Sequence, residues 1–248
     1  MYKKITHNIV EEHFDHPATL PNGMLTAMNG APMQAQQSPA QVNFTATSGE
    51  LPQYVMNDLT MLFRMDARTA WGKWVWSLLN YSISLNGNLP GTDQVKARLT
   101  KNAVALGEYI IPYYGLTAGN LLSTALINIG DVGVQYVEAF KAGKDTKEIE
   151  AKWPELIDKI ATILNELNPN NWPKAVLVDI FTNLVRSWTE QLQARAKKDV
   201  VADEIAIDYI NKLVITGLPD HVKHGFSSLA DIFSRGIIAQ FADMFSHN

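Results

Sequence analysis

From residue 58 onward the apolar side chains return every three to four positions, and no segment alternates apolar and polar residues long enough to specify a strand. That period is the signature of helices buried along one face. Leu59, Leu62, Phe63, Ala70, Trp71, Trp74, Leu78 and Tyr81 form one face of a first long helix, which Asn86-Gly87-Asn88-Leu89-Pro90-Gly91 ends. Thr92 is placed to cap a second helix carrying Val95, Leu99, Val104 and Leu106. Pro112 and Gly115 break the chain, and a third helix follows to about residue 142, closed by Gly143. Asp145-x-x-Glu148 has the pattern of a capping box and opens a fourth helix with Ile149, Trp153, Leu156, Ile160, Ile163 and Leu167. Pro173 suits the first turn of a fifth, with Leu177, Ile180, Phe181, Leu184, Trp188 and Leu192 on its apolar face. A sixth covers roughly residues 201–216, and the last carries Phe226, Leu229, Phe233, Ile237 and Phe241. Short connections favour antiparallel neighbours, so residues 54–248 read as an all-α, up-and-down bundle of about six to seven helices.

Residues 1–53 obey no such period. Pro17, Pro21, Pro32, Pro39 and Pro52 interrupt any helix, and the stretch from Met24 to Gln41 carries no charge. Apolar residues this scattered do not offset their own ordering entropy. The segment reads as an extended Pro/Gln/Met-rich arm that lays Met24, Leu25, Met28, Met33 and Phe44 into grooves of a protein partner or another copy of the chain.

Several function classes lose ground on composition. The net charge is −4, and the densest basic run, Arg195, Lys197 and Lys198, is followed by Asp199, Asp203 and Glu204. It reads as a solvated helix face, and no nucleic-acid partner is expected. Without cysteine there is no disulfide, thiolate metal site or cysteine nucleophile. The first sixteen residues lack the apolar run of a secretory signal, so a cytoplasmic or virion location is expected. Residues 109–130 are free of charge over about the length of a membrane span. Pro112, Gly115, Gly119, Asn120, Ser123, Thr124 and Asn128 make that stretch a buried bundle helix rather than a span.

Catalytic constellations are equally scarce. His13-x-x-His16, with Glu11, Glu12 and Asp15, lies in the arm; His221-x-x-His224, beside Asp220, lies between helices. Neither pair has the inward glutamates that a carboxylate-bridged bundle site uses. Glu108, Glu138, Glu155 and Glu166 fall on or near polar faces. No histidine sits on a core helix to serve a hydroxyl nucleophile, and no glycine-rich phosphate loop is present. No catalytic residue, metal site or cofactor is expected. The tryptophans fall at core spacing, with Trp76 the exposed exception off the main stripe.

From about Leu62 to Phe245 the chain resembles a widespread family of short helical-bundle proteins found in bacteria, archaea and some giant viruses. Trp71-x-x-Trp74-Val75 is similar to the family's W-x-x-H-V, and Val95-x-x-Arg98-Leu99-x-x-Asn102 to V-x-x-R-L-x-x-N. Tyr113-Tyr114-Gly115-x-x-Ala118-Gly119-Asn120 looks like F-Y-G-x-x-A-G-N. Lys141-Ala142-Gly143, Trp153, Asn168-Pro169, Trp172 and the ending Ala230-Asp231-x-x-x-x-Gly236-Ile237-Ile238-x-Gln240-Phe241 follow in register. The family carries a histidine on each of three helices, where this chain has Trp74, Ile129 and Leu184. An asparagine corresponds to Leu156 and an acidic residue to Gln191. Three histidines with an amide and a carboxylate suit a metal or a polar small molecule. The resemblance therefore implies a former site filled with core side chains.

A filled site, an extended arm and no catalytic groups together suggest a non-catalytic building block of a larger assembly, in its most specific form a virion minor capsid component. Two alternatives remain open at this level. One is a metal- or small-molecule-dependent enzyme of the parental type; the other is a regulatory module binding one protein partner.

Overall fold

The computed structural model describes residues 58–217 and 228–246, all within one compact unit, Leu51–Asn248. The arm residues Met24, Leu25, Met28, Met33 and Phe44 lie outside the described residues, as do His13, His16, His221, His224 and Phe226. Among the described residues the fold is all-α, with no strand.

Helix α1, Asp58–Asn86, buries a stripe of Thr60, Ala67, Trp71, Trp74, Leu78 and Tyr81. Leu59 and Leu62 were expected on that face but are exposed. The stripe enters the core through Thr60 and Phe63, which turns both leucines outward. Asn88 sits at φ 51 after the last turn, and the amides of Asn88 and Leu89 reach back to the carbonyls of Leu85 and Ser84. This satisfies the orphan carbonyls of the helix end.

The apolar segment that follows is two helical arms rather than one rod. Helix α2, Thr92–Lys141, is interrupted at Gly115 by φ 81 and ψ 171, a region closed to side chains. In an unbroken helix, Gly107 and Gly119 would stand about 18 Å apart. Instead, a Cβ built on Gly107 would lie 2.3 Å from the Gly119 carbonyl oxygen. Leu99 likewise packs on Gly130, whose ideal Cβ would meet Leu99 Cδ2 at 3.2 Å. The arms thus run antiparallel, as the break read at Pro112 and Gly115 requires. By length and composition alone α2 is apolar enough to cross a membrane, yet its charge-free stretch straddles the hairpin turn. At its start Thr92 is not the cap: the preceding residue is Gly91 at φ 82, and the Thr92 hydroxyl donates back to Leu89 O. Its end is as read, with Gly143 at φ 66 and the Lys144 amide bonded to Ala139 O.

The expected capping box is a separate short turn. Asp145 accepts from the Lys147 amide, α3 spans only Lys147–Glu150, and α4 begins anew at Trp153–Leu167 with Pro154 in its first turn. Helix α5, Lys174–Ala196, starts after Pro173. Helix α6, Val200–Asn211, is capped by the Asp199 carboxylate and continues as a π-helical turn, Lys212–Thr216. Helix α7, Leu229–Gln240, is capped by the Ser228 hydroxyl, and a 3-10 turn, Ala242–Phe245, follows it. Helix α1 packs against α2, α5 and α7, while α4 bridges α2 and α5.

Aromatic rings bind the layers at the centre. Trp71 meets Trp74, Phe181 and Phe233 at centroid distances of 6.2, 6.2 and 5.3 Å. Trp172 stacks on Phe233 at 5.2 Å, and Trp188 donates its Nε1–H to Ser82 Oγ. Edge-on and stacked pairs of this kind add to the area they bury.

Candidate functional site

Two places bear on function: the interior where the resembled family has its polar residues, and a groove on the outer side of α1 and α2. In the interior Trp74, Ile129 and Leu184 are 0, 2 and 3% exposed and belong to one contiguous apolar core. Leu156 does not join them fully; it is half-buried and packs at the margin of that core. Gln191 is fully enclosed, and its Nε2 donates to Asp203 Oδ1 at 2.6 Å. Arg195 donates to the other oxygen of Asp203 at 2.6 Å. The run that read as a solvated face is therefore partly inward: Arg195 and Asp203 pair between α5 and α6. Asp203 thus sets a carboxylate from α6 against position 191. Spacing along one helix could not reveal this, because the acid comes from a neighbour.

Several polar atoms in this interior have no hydrogen-bond partner among the described residues: Gln191 Oε1 and the Nε1 of Trp71, Trp74 and Trp153. They are isolated donors and one acceptor, not a titratable set. Among the described residues no three of His, Cys, Asp and Glu are grouped to hold a metal ion.

Other motif residues converge on architecture. Asn168 Nδ2 donates to Gly236 O at 2.8 Å and to the Tyr114 hydroxyl at 3.2 Å. Tyr114 in turn donates to Gln240 Oε1 at 2.8 Å. Trp172 Nε1 donates to Ile232 O, and any Cβ on Gly236 would fall 2.1 Å from that same Nε1. This knot ties the hairpin turn of α2 and the α4–α5 turn to α7. Asp231, 1% exposed, accepts from Arg64 and Arg68 and fastens α7 to α1. Asn102 Nδ2 donates to Lys73 O and Ser77 Oγ at 2.9 and 2.7 Å and sets the register of α1 on α2.

Beside Asn102 lies a hollow of about 670 Å³ between α1 and the first arm of α2. Its rim carries Arg68, Lys73, Arg98 and Lys101, with Trp76 and Asn80, and no carboxylate. A smaller hollow of about 270 Å³ continues it past Lys73 to Asp66 and Tyr109. Tyr109 donates to Phe63 O, and burial, with lesser contributions from Asp66 and Tyr113, holds its hydroxyl far above the usual phenol range. The exposure of Trp76, 39%, agrees with its place off the buried stripe. The cations around it escaped the sequence reading because they come from two different helices, Lys73 from α1 and Arg98 and Lys101 from α2.

No family model matches the chain, and no curated protein or solved structure matches it either.

Proposed function

We propose that the chain is a non-catalytic interaction protein, a helical building block of a larger assembly. A virion minor capsid component is the most specific form of this reading. The observation that carries it is the packing of Trp74, Ile129 and Leu184 into one apolar core at the positions where the resembled family has histidines. Apolar side chains closed around one another contribute cohesion and leave no room or charge for proton transfer or metal ligation. Function then falls to surfaces, and the arm of residues 1–53 is the segment whose composition suits a partner-bound strap.

The test compares the full chain with a truncation beginning at residue 54, by thermal melting and by mass in solution, alone and with its copurifying partners. The truncation is expected to melt within about 2 °C of the full chain, a shift of no more than about 1 kcal/mol for a domain of this size, and to lose higher-order complexes. A truncation that unfolds or aggregates, or stoichiometric zinc, iron or manganese bound to it, overturns the reading.

A further inference from the structure

We propose that the groove between α1 and the first arm of α2 is a binding site for a nucleoside polyphosphate, with Lys73, Arg98 and Lys101 holding the phosphates and Trp76 stacking on the base. The first ground is charge without a counter-charge. Lys96, Lys174, Arg186 and Arg195 each pair with a carboxylate. Lys73, Arg98 and Lys101, like exposed lysines such as Lys144 and Lys147, form no ion pair among the described residues; what sets them apart is that they share one hollow whose lining has no carboxylate. All three side chains are exposed, and like charges gathered along one concavity concentrate anions there.

A second ground is the aromatic ring. Of six tryptophans, five are no more than 6% exposed, whereas Trp76 is 39% exposed on the rim of this hollow. An indole left in water beside cations is the element that stacks a planar ring. Gly72 lets Ile215 close the floor beneath it: an ideal Cβ there would lie 3.2 Å from Ile215 Cδ1 and 3.8 Å from Trp76 Cδ1. The third ground is preorganisation. The bonds from Asn102 to Lys73 O and Ser77 Oγ fix the two walls without any ligand, so the ordering cost of binding falls on the side chains and not on the backbone.

The size and charge of the groove select the ligand class. A volume of about 670 Å³ falls in the range of small-molecule sites. The cationic track is short: Asp66 lines the continuation on one side, and the hollow on the other side adds Gln94, Ser84 and Leu89 but no further cation beyond Arg98. With a net charge of −4, the chain repels a long polyanion at a distance. A compact ligand with two or three phosphates and one ring matches this better than a nucleic-acid strand.

The experiment titrates the full chain with ATP, with tripolyphosphate and with a ten-nucleotide single strand, by calorimetry and by quenching of tryptophan emission. ATP is expected to bind with Kd below about 1 mM, to quench Trp76, and to weaken as salt rises. The double variant Arg98→Ala/Lys101→Ala is expected to lose at least about tenfold in affinity for ATP and for tripolyphosphate. Trp76→Ala is expected to lose about tenfold for ATP and to leave tripolyphosphate unchanged. A Lys144→Ala/Lys147→Ala control, at exposed sites away from the groove, keeps full affinity. Melting curves check that each variant folds, and Lys101→Glu serves if the double variant does not. No binding of ATP at millimolar concentration, unchanged affinity in a folded charge variant, or preference for the single strand over ATP overturns the proposal.

Discussion

Gln191 carries the buried amide that meets a charged pair inside the bundle. Its amide is enclosed on all sides and spends its Nε2 on Asp203, and Arg195 completes the pairing. A carboxylate at 191 would face Asp203 across a hydrogen-bond distance, where two negative charges cannot be held cheaply. Gln191→Glu is therefore expected to destabilise the fold by about 1–3 kcal/mol at pH 7, read by denaturant unfolding. Burial and Asp203 would raise the folded pKa of that new carboxyl above its unfolded value near 4.3. The sign follows: relative to the native chain the variant recovers as pH falls to about 4 and below, where the carboxyl becomes protonated in both states, and falls behind as pH rises. A loss that is the same at pH 4 and pH 7 would mean that Asp203 does not face position 191. The resemblance pointed to this position along its own helix, but the partner on α6 was legible only once α5 and α6 were packed.

Among the elements, the α2 hairpin depends on two glycines for opposite reasons. Gly107 has an ordinary helical backbone but no space, since a Cβ there would meet Ser123 Oγ at 1.9 Å and Gly119 O at 2.3 Å. Gly115 has open space, with nothing within 4 Å of its ideal Cβ, but its φ of 81 excludes side chains. Gly107→Ala is expected to force the arms apart and cost about 1–3 kcal/mol through overpacking. Gly115→Ala is expected to cost about 1–3 kcal/mol through backbone strain alone. The two are told apart by suppression: Ser123→Ala, which removes the nearest obstacle, should recover part of the Gly107→Ala loss and none of the Gly115→Ala loss. Equal recovery of both would overturn the assignment. Pro112 and Gly115 announced the break, because proline and glycine act on the local backbone. The close approach at Gly107 was silent in the sequence, since a small residue inside a helix looks the same whether or not another helix lies against it.

For the whole molecule, three tyrosines join the seams. Tyr81 donates to Glu138 between α1 and the second arm of α2, Tyr109 to Phe63 O between α1 and the first arm, and Tyr114 to Gln240 between α2 and α7. Burial is the main cause that raises all three hydroxyls well above the usual phenol range; at Tyr81 the hydrogen bond to Glu138 adds to it, and at Tyr114 the bond from Asn168 opposes it. Each is neutral when folded and ionises near pH 10 once unfolded, so its contribution is complete below about pH 10 and is lost as pH rises beyond. Stability read by denaturant unfolding is expected to hold from pH 8 to 9 and decline from about pH 10. Tyr109→Phe should flatten that decline while lowering stability at pH 8; an alkaline profile identical to that of the native chain would refute the role of Tyr109.

The sequence by itself determined the helices, their breaks and most of the buried stripe, because period, proline and positive-φ glycine act within a turn or two of the chain. It also marked Trp74, Ile129, Leu156 and Leu184 as inward positions, of which Leu156 is only half-buried, and set Trp76 apart from them. Tertiary structure alone decided which polar groups meet: Asp231 with Arg64 and Arg68, Asn168 with Gly236, Asp203 with Gln191 and Arg195. It decided too that Lys73, Arg98 and Lys101 share a hollow without a carboxylate. A charge on a helix surface looks the same in sequence whether solvent, a salt-bridge partner or a ligand faces it. Only the packing of distant segments fixes its dielectric surroundings and its neighbours.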